Sequence, residues 1–394
     1  MRISLIIIAN IVIVKILLYL YCTYYNYKNR AMTLTDNAND NIGSLFLSES
    51  KSSPSRTTIN LSAGKVLNNP YGVFIWYTDI TKLNDMNTAS TKYLLDLLSH
   101  KEREKVTKFY FDDDKKRSLL SVYLQKALVR HFLKIDEDNF VIERTAENKP
   151  YARGEQDMGA WNYNVSHHGK YVCIVSHPSL IVGADLMDLH TKHNCATAKE
   201  FFEMFSDQLL PSELNTVIKC PNEDDQFTMF FVLWSLKESF VKAIGLGLGY
   251  NLHDIEFSII FEKKDYALKQ QQADKADIPD DESWLRGTAK AKIKGILRTD
   301  WNFDFCSLDS NHVMSIARGP LQDVIPSYSS SAWSDEKKCS SKGNRESIED
   351  SKHEVINLVK TPLPAPSKMD IEQLLTPKYA EKFADIKSKL FNDT

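Results

Sequence analysis

The feature that most constrains the fold is a helix-length apolar run that carries charged residues close to its end. Five apolar residues precede the segment WSLKESFVKAIG, in which Trp234, Glu238 and Lys242 are spaced four apart. This spacing puts the three side chains on one face of a helix. A helix this apolar is expected to be buried, and buried charges need a partner or a function. The alternative is a surface Glu–Lys pair, which stabilises a helix by only about 0.2–0.5 kcal/mol.

Three other segments carry side chains suited to metal or phosphate chemistry. Asp185, near the end of the apolar strand LIVGADLM, is either a turn residue or an oxygen ligand for a hard cation such as Mg²⁺. The segment NVSH, from Asn164 to His167, offers a hydroxyl and an imidazole to phosphate oxygens. Its adjacent serine and histidine rarely face each other and no acid partner is evident, which argues against a serine hydrolase. The loop RTAENK, from Arg144 to Lys149, offers two cations, although it also suits an ordinary exposed loop.

Composition and spacing argue against several function classes. The formal net charge of -3 gives no general attraction for nucleic acid. The six cysteines form no CxxC pair, so we expect a reducing compartment without a disulfide framework. Gly245–Gly249 follows a helix and lacks the GxGxxG spacing of a dinucleotide loop. His190, His193 and Cys195 lack a fourth zinc ligand and are interpreted as a polar loop.

The pattern of strands and helices predicts an α+β fold of two halves, 71–181 and 182–319, with a cleft between them. Strands are predicted at 73–80, 140–145 and 252–261. Helical segments are predicted at 90–110, as one helix or two, after 112–114, and at 195–209, 211–219 and 224–244. Two hairpins are also predicted, one joining 171–176 to 180–187 and one joining 301–308 to 313–318.

The ends of the chain differ from this body. Residues 1–30 form a hydrophobic extension that is long enough to cross a bilayer, which needs roughly 20 apolar residues, although Lys15 lies near its middle. It is either a membrane anchor or a non-native extension before a start at Met32, and we favour the second interpretation. Residues 31–70 are predicted to be disordered and 320–368 to be a linker. Residues 369–394 are predicted to form an amphipathic helix that docks on the body or on a partner.

Together these segments resemble the 4'-phosphopantetheinyl transferase superfamily. The strand that carries Asp185, followed by W-x-x-K-E-x-x-x-K-x-x-G from Trp234 to Gly245, is similar to its signature. NVSH and RTAxxKP resemble its aminoadipate-semialdehyde dehydrogenase type, and the similarity covers 71–319. The resemblance implies a pseudo-duplicated fold with the active site between the halves. It also implies transfer of the 4'-phosphopantetheine arm of coenzyme A to a serine of an apo acyl-carrier protein, releasing 3',5'-ADP.

The resemblance further implies residue roles. Asp185 and Glu238 would bind Mg²⁺, Glu238 would also deprotonate the carrier serine, and Lys242 would neutralise the pyrophosphate. The implied coenzyme A contacts are Arg144, Thr145, Lys149, Asn164, Ser166, His167, Asp185, Glu238 and Lys242. Such roles agree with phosphoryl transfer, which depends on positioning and charge neutralisation.

Two positions depart from the family pattern. Met187 stands where many relatives carry a further carboxylate, so a water would have to complete the magnesium shell. Asp113 stands where relatives of this type carry an arginine that contacts coenzyme A, and Lys116 or Arg117 is expected to replace it.

The alternative function is a catalytically inactive module that binds carrier proteins or coenzyme A. The partners that the resemblance suggests are carrier domains of fatty acid synthase and of an aminoadipate-reducing enzyme, and not nucleic acid. We expect a cytosolic monomer that touches a membrane only if residues 1–30 are part of the protein.

Overall fold

The computed structural model describes residues 73–83, 85–135, 139–154, 160–189, 198–205, 208–262, 285–333 and 355–392. The predicted extension at 1–30, the predicted disordered segment at 31–70, and His190, His193 and Cys195 lie outside these ranges. Within the ranges, none of the helices has the length and apolar character needed to cross a bilayer.

The first half combines one sheet, a separate hairpin and three helices. Its elements are β1 (Phe74–Asp79), α1 (Ala89–Asp96), α2 (His100–Thr107), α3 (Asp112–Leu133), β2 (Phe140–Arg144), β3 (Pro150–Gly154), β4 (Asn162–His168) and β5 (Tyr171–His177). The predicted helical run at 90–110 is two helices, because Ser99 and Glu102 form a capping box that starts α2. Helix α3 begins with three aspartates, which suit the positive end of a helix dipole.

The second half combines a five-stranded antiparallel sheet with four helices. Its elements are β6 (Ile181–Asp188), α4 (Ala198–Met204), α5 (Pro211–Ile218), α6 (Glu223–Ile244), β7 (Ile255–Phe261), β8 (Arg286–Ile293), β9 (Ile296–Asp309), β10 (His312–Gly319) and α7 (Pro326–Ala332). The strand order is β6-β10-β9-β8-β7, and the predicted final hairpin is β9–β10. Helix α7 lies inside the predicted linker.

The other predicted hairpin is wrong. Strands β5 and β6 lie in different sheets, because β1 and β4 occupy both edges of β5 and β6 pairs with β10. Every residue of β5 is buried, as in a strand covered on both faces. The short connection through Pro178 therefore carries the chain from one sheet to the next.

The two halves meet at a shared core and along two edge strands. The shared core contains Cys173 and Val175 of β5, Ala184 and Leu186 of β6, and Ile316 of β10. Each half also has a hydrophobic core of its own. Strand β4 is one edge of the first sheet and β6 is one edge of the second. We call the line where β4 and β6 lie side by side the seam.

The chain returns to the first half at its C-terminal end. Strand β11 (Ser367–Lys368) pairs in parallel with β1 at the free edge of the first sheet. Helices α8 (Ile371–Leu374) and α9 (Pro377–Asn392) follow, and Ile371, Leu374 and Phe383 are buried in the core of the first half. The predicted C-terminal helix thus docks on the body of the protein.

Candidate active site

Helix α6 brings its polar side chains to the seam. The side chain of Asn222 accepts a first-turn backbone N–H at 2.9 Å, and Gly245, with φ of 87°, ends the helix. The helix packs on β6 at Gly183, where a Cβ atom would overlap the carbonyl oxygen of Ser239. Only glycine permits so close an approach. The last turns of α6 therefore lie directly over the strand that carries Asp185.

Lys242, Asp185 and Ser166 form a connected polar cluster at the seam. Nζ of Lys242 lies 2.5 Å from Oδ1 of Asp185 and donates to Oγ of Ser166 at 2.9 Å. The Ser166 hydroxyl donates to the same Asp185 oxygen at 3.2 Å. Burial opposes the charged form of Lys242, but the carboxylates of Asp185 and Glu238 outweigh it and raise the pKa of Lys242. The cluster therefore favours a charged lysine beside a carboxylate from β6.

Asp185 and Glu238 form a donor set that suits Mg²⁺. Oδ2 of Asp185 is buried and has no hydrogen-bond partner in the described part of the chain. Glu238 lies one turn before Lys242 on α6 and is half-buried. Mg²⁺ in proteins is typically bound by one or two carboxylates, with phosphates and waters as its other ligands. Met187 is packed in the core, and no cluster of three or more His, Cys, Asp or Glu side chains suited to a metal occurs among the described residues.

The NVSH strand joins the halves through a ladder of side-chain to backbone hydrogen bonds. Every second side chain of β4 accepts a backbone N–H of β6, in the pairs Asn162 with Val182 at 3.0 Å, Asn164 with Ala184 at 3.0 Å, Ser166 with Leu186 at 3.2 Å and His168 with Asp188 at 2.7 Å. The ladder satisfies N–H groups that an edge strand would otherwise leave unpaired. Asn164 and Ser166 thus hold the seam, and their contact with a nucleotide stays a prediction.

His167 belongs to the opposite face of β4. Side chains alternate along a strand, so His167 lies on the same face as Val165 and away from the ladder. Both residues are partly exposed, whereas the four ladder residues are buried. His167 therefore remains accessible for the predicted phosphate contact.

The loop from Arg144 to Lys149 is a tight turn that lies at the C-terminal end of α6. Thr145 donates its N–H to the carbonyl of Lys149 at 3.0 Å, and Asn148 takes a positive φ of 73°. The Arg144 guanidinium donates to the Asn148 carbonyl at 2.8 Å. Nζ of Lys149 donates to the carbonyl of Lys242 at 2.9 Å, which joins the turn to the helix. The structure thus places this loop beside Lys242, and its contact with coenzyme A stays a prediction.

The structure adds Lys105, which the sequence did not indicate. Burial, and after it the positive charges of Arg144 and Lys108, lower the pKa of Lys105 to about 8, so Lys105 lies within electrostatic range of Arg144. Lys105 lies on α2 just before Val106, which is buried. Its place next to an apolar residue was the one feature of the sequence that could have drawn attention to this lysine. A pair of cations held close together favours an anion between them.

Of the two residues expected to replace the family's arginine, Arg117 is held within the protein. Arg117 donates to the carbonyl of Gly169 at 2.7 Å and pairs with Asp114 at 2.9 Å, so its guanidinium binds within the protein. Lys116 lies 4.0 Å from Asp113 near the start of α3. Lys105 of the preceding helix is a further candidate for this role, because it lies within electrostatic range of Arg144.

Lys237, the first lysine of the signature helix, has a structural partner instead. It forms a fully buried ion pair with Glu213 of α5 at 2.8 Å. The same ammonium donates to the carbonyls of Leu252 and Ile255 at 2.8 and 2.7 Å. Burial lowers the pKa of Lys237, and the carboxylate of Glu213 opposes that shift. This pair anchors α6 to α5 and β7 on the side away from Asp185.

Comparison with known proteins agrees with this geometry. A family model described as the N-terminal part of 4'-phosphopantetheinyl transferase matches residues 87–179, and a model of the 4'-phosphopantetheinyl transferase superfamily matches residues 181–291. The two matches meet between β5 and β6, where the chain passes from one sheet to the other.

Curated relatives point the same way. The chain is 30% identical over 225 residues to the L-aminoadipate-semialdehyde dehydrogenase-phosphopantetheinyl transferase of Xenopus laevis, a match that covers 57% of this chain and 68% of the relative. It is 29% identical over 228 residues to the phosphopantetheinyl transferase of Thraustochytrium sp., covering 56% of this chain and 69% of the relative. The Schizosaccharomyces pombe protein of the aminoadipate type is 29% identical over 185 residues, covering 44% and 69%.

Proposed function

The chain belongs to the 4'-phosphopantetheinyl transferase superfamily, and from that premise we propose that it is a holo-[acyl-carrier-protein] synthase. In this reaction the hydroxyl oxygen of a carrier serine attacks the phosphorus that bears the pantetheine arm of coenzyme A. The bond from that phosphorus to the bridging pyrophosphate oxygen breaks, and 3',5'-ADP leaves. The serine proton passes to a base, and the product is the holo-carrier.

The observation that carries this proposal is the cluster of Lys242, Asp185 and Ser166 at the seam, with Glu238 one turn away. It joins a cation, two carboxylates and a hydroxyl from both halves of the molecule. Phosphoryl transfer requires this kind of charge neutralisation and positioning and little covalent chemistry from the protein.

Glu238, Lys242 and Asp185 have distinct tasks in the proposed mechanism. Glu238, which is half-buried and reaches solvent, accepts the serine proton directly or through a water. The ammonium of Lys242 stabilises negative charge on the oxygen that leaves with 3',5'-ADP. Asp185 and Glu238 would hold Mg²⁺, which supplies positive charge to the pyrophosphate when bound. The buried carboxylate of Asp185 also keeps Lys242 protonated.

The nucleotide end of coenzyme A is proposed to lie near the Arg144–Lys149 turn. Arg144 and Lys105 supply positive charge for its phosphates, and His167 supplies a ring N–H from the face of β4 opposite the ladder. Thr145, Asn164 and Ser166 are proposed to line the same region. Their hydrogen bonds within the protein fix the positions from which they would contact the ligand.

The proposed partners are carrier domains such as those of fatty acid synthase or of an aminoadipate-reducing enzyme. We propose a monomer, because one chain supplies both halves of the site. We also propose a cytosolic enzyme, and the free thiols of Cys173, Cys220 and Cys306 support a reducing compartment.

The reaction is tested by incubating the protein with coenzyme A, Mg²⁺ and an apo acyl-carrier protein and measuring 3',5'-ADP by chromatography. Release of one 3',5'-ADP per holo-carrier formed is the expected result. Binding of coenzyme A without release, for several carriers, would instead indicate the inactive binding module.

A further inference from the structure

Lys149 is a buried lysine whose position does not match a direct contact with phosphate. Its side chain is buried, and its Nζ donates to the carbonyl oxygens of Lys242 and Val182 at 2.9 and 3.3 Å. The ring of Tyr328 on α7 lies 5.1 Å from the same nitrogen. Among the described residues no ion pair of Lys149 is found, and burial alone accounts for the lowering of its pKa. The surroundings of this ammonium are thus two carbonyls and an aromatic face.

These contacts provide hydrogen-bond donors for the backbone carbonyls at the C-terminal end of α6. The last carbonyls of a helix lack partners inside the helix and must be satisfied by other groups. Ile325 donates its N–H to the carbonyl of Ile244 at 2.9 Å, and Lys149 donates to the carbonyl of Lys242. Val182 belongs to β6, an edge strand, and its carbonyl accepts the second hydrogen bond from Lys149. One ammonium therefore ties the end of α6 to β6.

Packing around the turn keeps this ammonium in place. A Cβ atom on Gly245 would lie 3.0 Å from Cδ of Lys149, so the lysine stem fills the space beside the end of the helix. Ser327 of α7 donates to the carboxylate of Glu147 in the same turn at 2.8 Å. The turn, the end of α6 and α7 form one packed unit around the nitrogen.

We propose that Lys149 is a positioning residue for Lys242 and not a ligand of the coenzyme A phosphates. Lys149 fixes the backbone of Lys242, and the side chain of Lys242 reaches Asp185 from that fixed point. A phosphate contact would require Nζ of Lys149 to leave both carbonyls, which would then be buried without donors. The inference rests on the proposed function and gives a new role to a residue for which the family resemblance implies a nucleotide contact.

The test is Lys149→Met, which keeps the length of the side chain and removes its three donors. Because misplacing a catalytic group by about 1 Å can cost ~100-fold, we expect kcat to fall about 10- to 100-fold. The KM for coenzyme A and the Kd for 3',5'-ADP, measured by calorimetry, should stay within about threefold of wild type. Arg144→Met is the matched variant of a proposed ligand and should raise the Kd for 3',5'-ADP about tenfold. Lys389→Met, in an exposed ion pair on α9, should change none of these values.

A second variant covers the case in which Lys149→Met does not fold. Tyr328→Leu removes the aromatic face beneath the ammonium, so it should lower kcat in the same direction and leave the Kd for 3',5'-ADP unchanged. The proposal is overturned if Lys149→Met weakens 3',5'-ADP binding as much as Arg144→Met. Wild-type kcat in the folded variants also overturns it. If the wild-type protein modifies no carrier, the proposed function fails separately, and the 3',5'-ADP titration still decides whether Lys149 is a ligand.

Discussion

Nζ of Lys242 lies 2.5 Å from Oδ1 of Asp185, so a single ion pair connects the last turn of α6 to the edge strand of the second half. The Asp185 side chain is only 2% exposed, whereas that of Lys242 is 27% exposed. The aspartate therefore depends on the lysine for compensation of its charge, while the lysine can also reach a ligand from solvent. This difference in exposure suits a lysine that pairs with a buried carboxylate and also binds phosphate from solvent.

Replacing Lys242 should separate catalysis from binding. Lys242→Met removes the charge proposed to stabilise the leaving oxygen, and loss of such a group typically costs about 10²- to 10³-fold in kcat. The KM for coenzyme A should change less, because other cations hold the nucleotide end. Steady-state kinetics with an apo carrier measures both values. Lys115→Met, in an ion pair with Asp112 near the start of α3, serves as the control and should keep the wild-type rate. A wild-type kcat for Lys242→Met would contradict the assignment.

The ladder along the seam should contribute to stability independently of the ligand. Asn162 is buried, accepts the N–H of Val182 and donates to the carbonyl of Leu180 at 2.8 Å. Asn162→Ala leaves these groups without partners, so we expect the free energy of unfolding to fall by about 1–3 kcal/mol. Urea denaturation measures the change, and Asn251→Ala, at an exposed turn, is the control. Equal stability of Asn162→Ala and wild type would show that the ladder does not hold the halves together.

The buried pair of Lys237 and Glu213 predicts a larger effect. Both side chains are 0% exposed, and Glu213→Gln leaves the ammonium without its carboxylate. Removing one partner of a buried ion pair typically costs about 3–5 kcal/mol. Asp385→Asn removes one partner of the exposed pair with Lys389 and should shift the denaturation midpoint little. Similar midpoints for the two variants would refute a structural role for the buried pair.

Lys149 predicts a specific dependence of stability on pH. Burial lowers its pKa in the folded protein to about 7, whereas an unfolded lysine titrates near 10.4. Between these values the unfolded chain binds more protons, so the contribution of this residue to stability rises with pH. The difference in unfolding free energy between wild type and Lys149→Met should therefore move in favour of wild type from about pH 7 to about pH 9. A difference that stays constant over this range would contradict a buried, titrating Lys149.

Secondary structure was predicted correctly from the sequence where the hydrophobic pattern is long and unambiguous. Helix α6 and its end at Gly245 were predicted because a long apolar run followed by glycine is typical of a buried helix and its C-terminal cap. The same holds for β1 and for the β9–β10 hairpin. The prediction of a hairpin between β5 and β6 was wrong. Two apolar strands joined by a short turn have the same sequence pattern whether they pair with each other or belong to different sheets.

The residues of the candidate site could be named from the sequence, but the groups that their side chains contact could not. Asp185 and Lys242 do meet, and it was the family resemblance that had implied a shared site for them. The backbone groups that other side chains satisfy cannot be read in this way. Asn164 and Ser166 therefore turned out to bond to β6, and Lys149 to the end of α6. Lys105 was missed because its proximity to Arg144 exists only in the folded chain.

The central claim is that the seam cluster transfers phosphopantetheine, and intact-mass spectrometry of an apo acyl-carrier protein tests it most directly. The carrier is incubated with saturating coenzyme A, Mg²⁺ and either the wild-type protein or Glu238→Ala. The account predicts a mass gain of one phosphopantetheine arm with wild type and none with the variant over the same time. An equal gain with both would remove Glu238 from the reaction, and no gain with wild type on several carriers would contradict the proposed function itself.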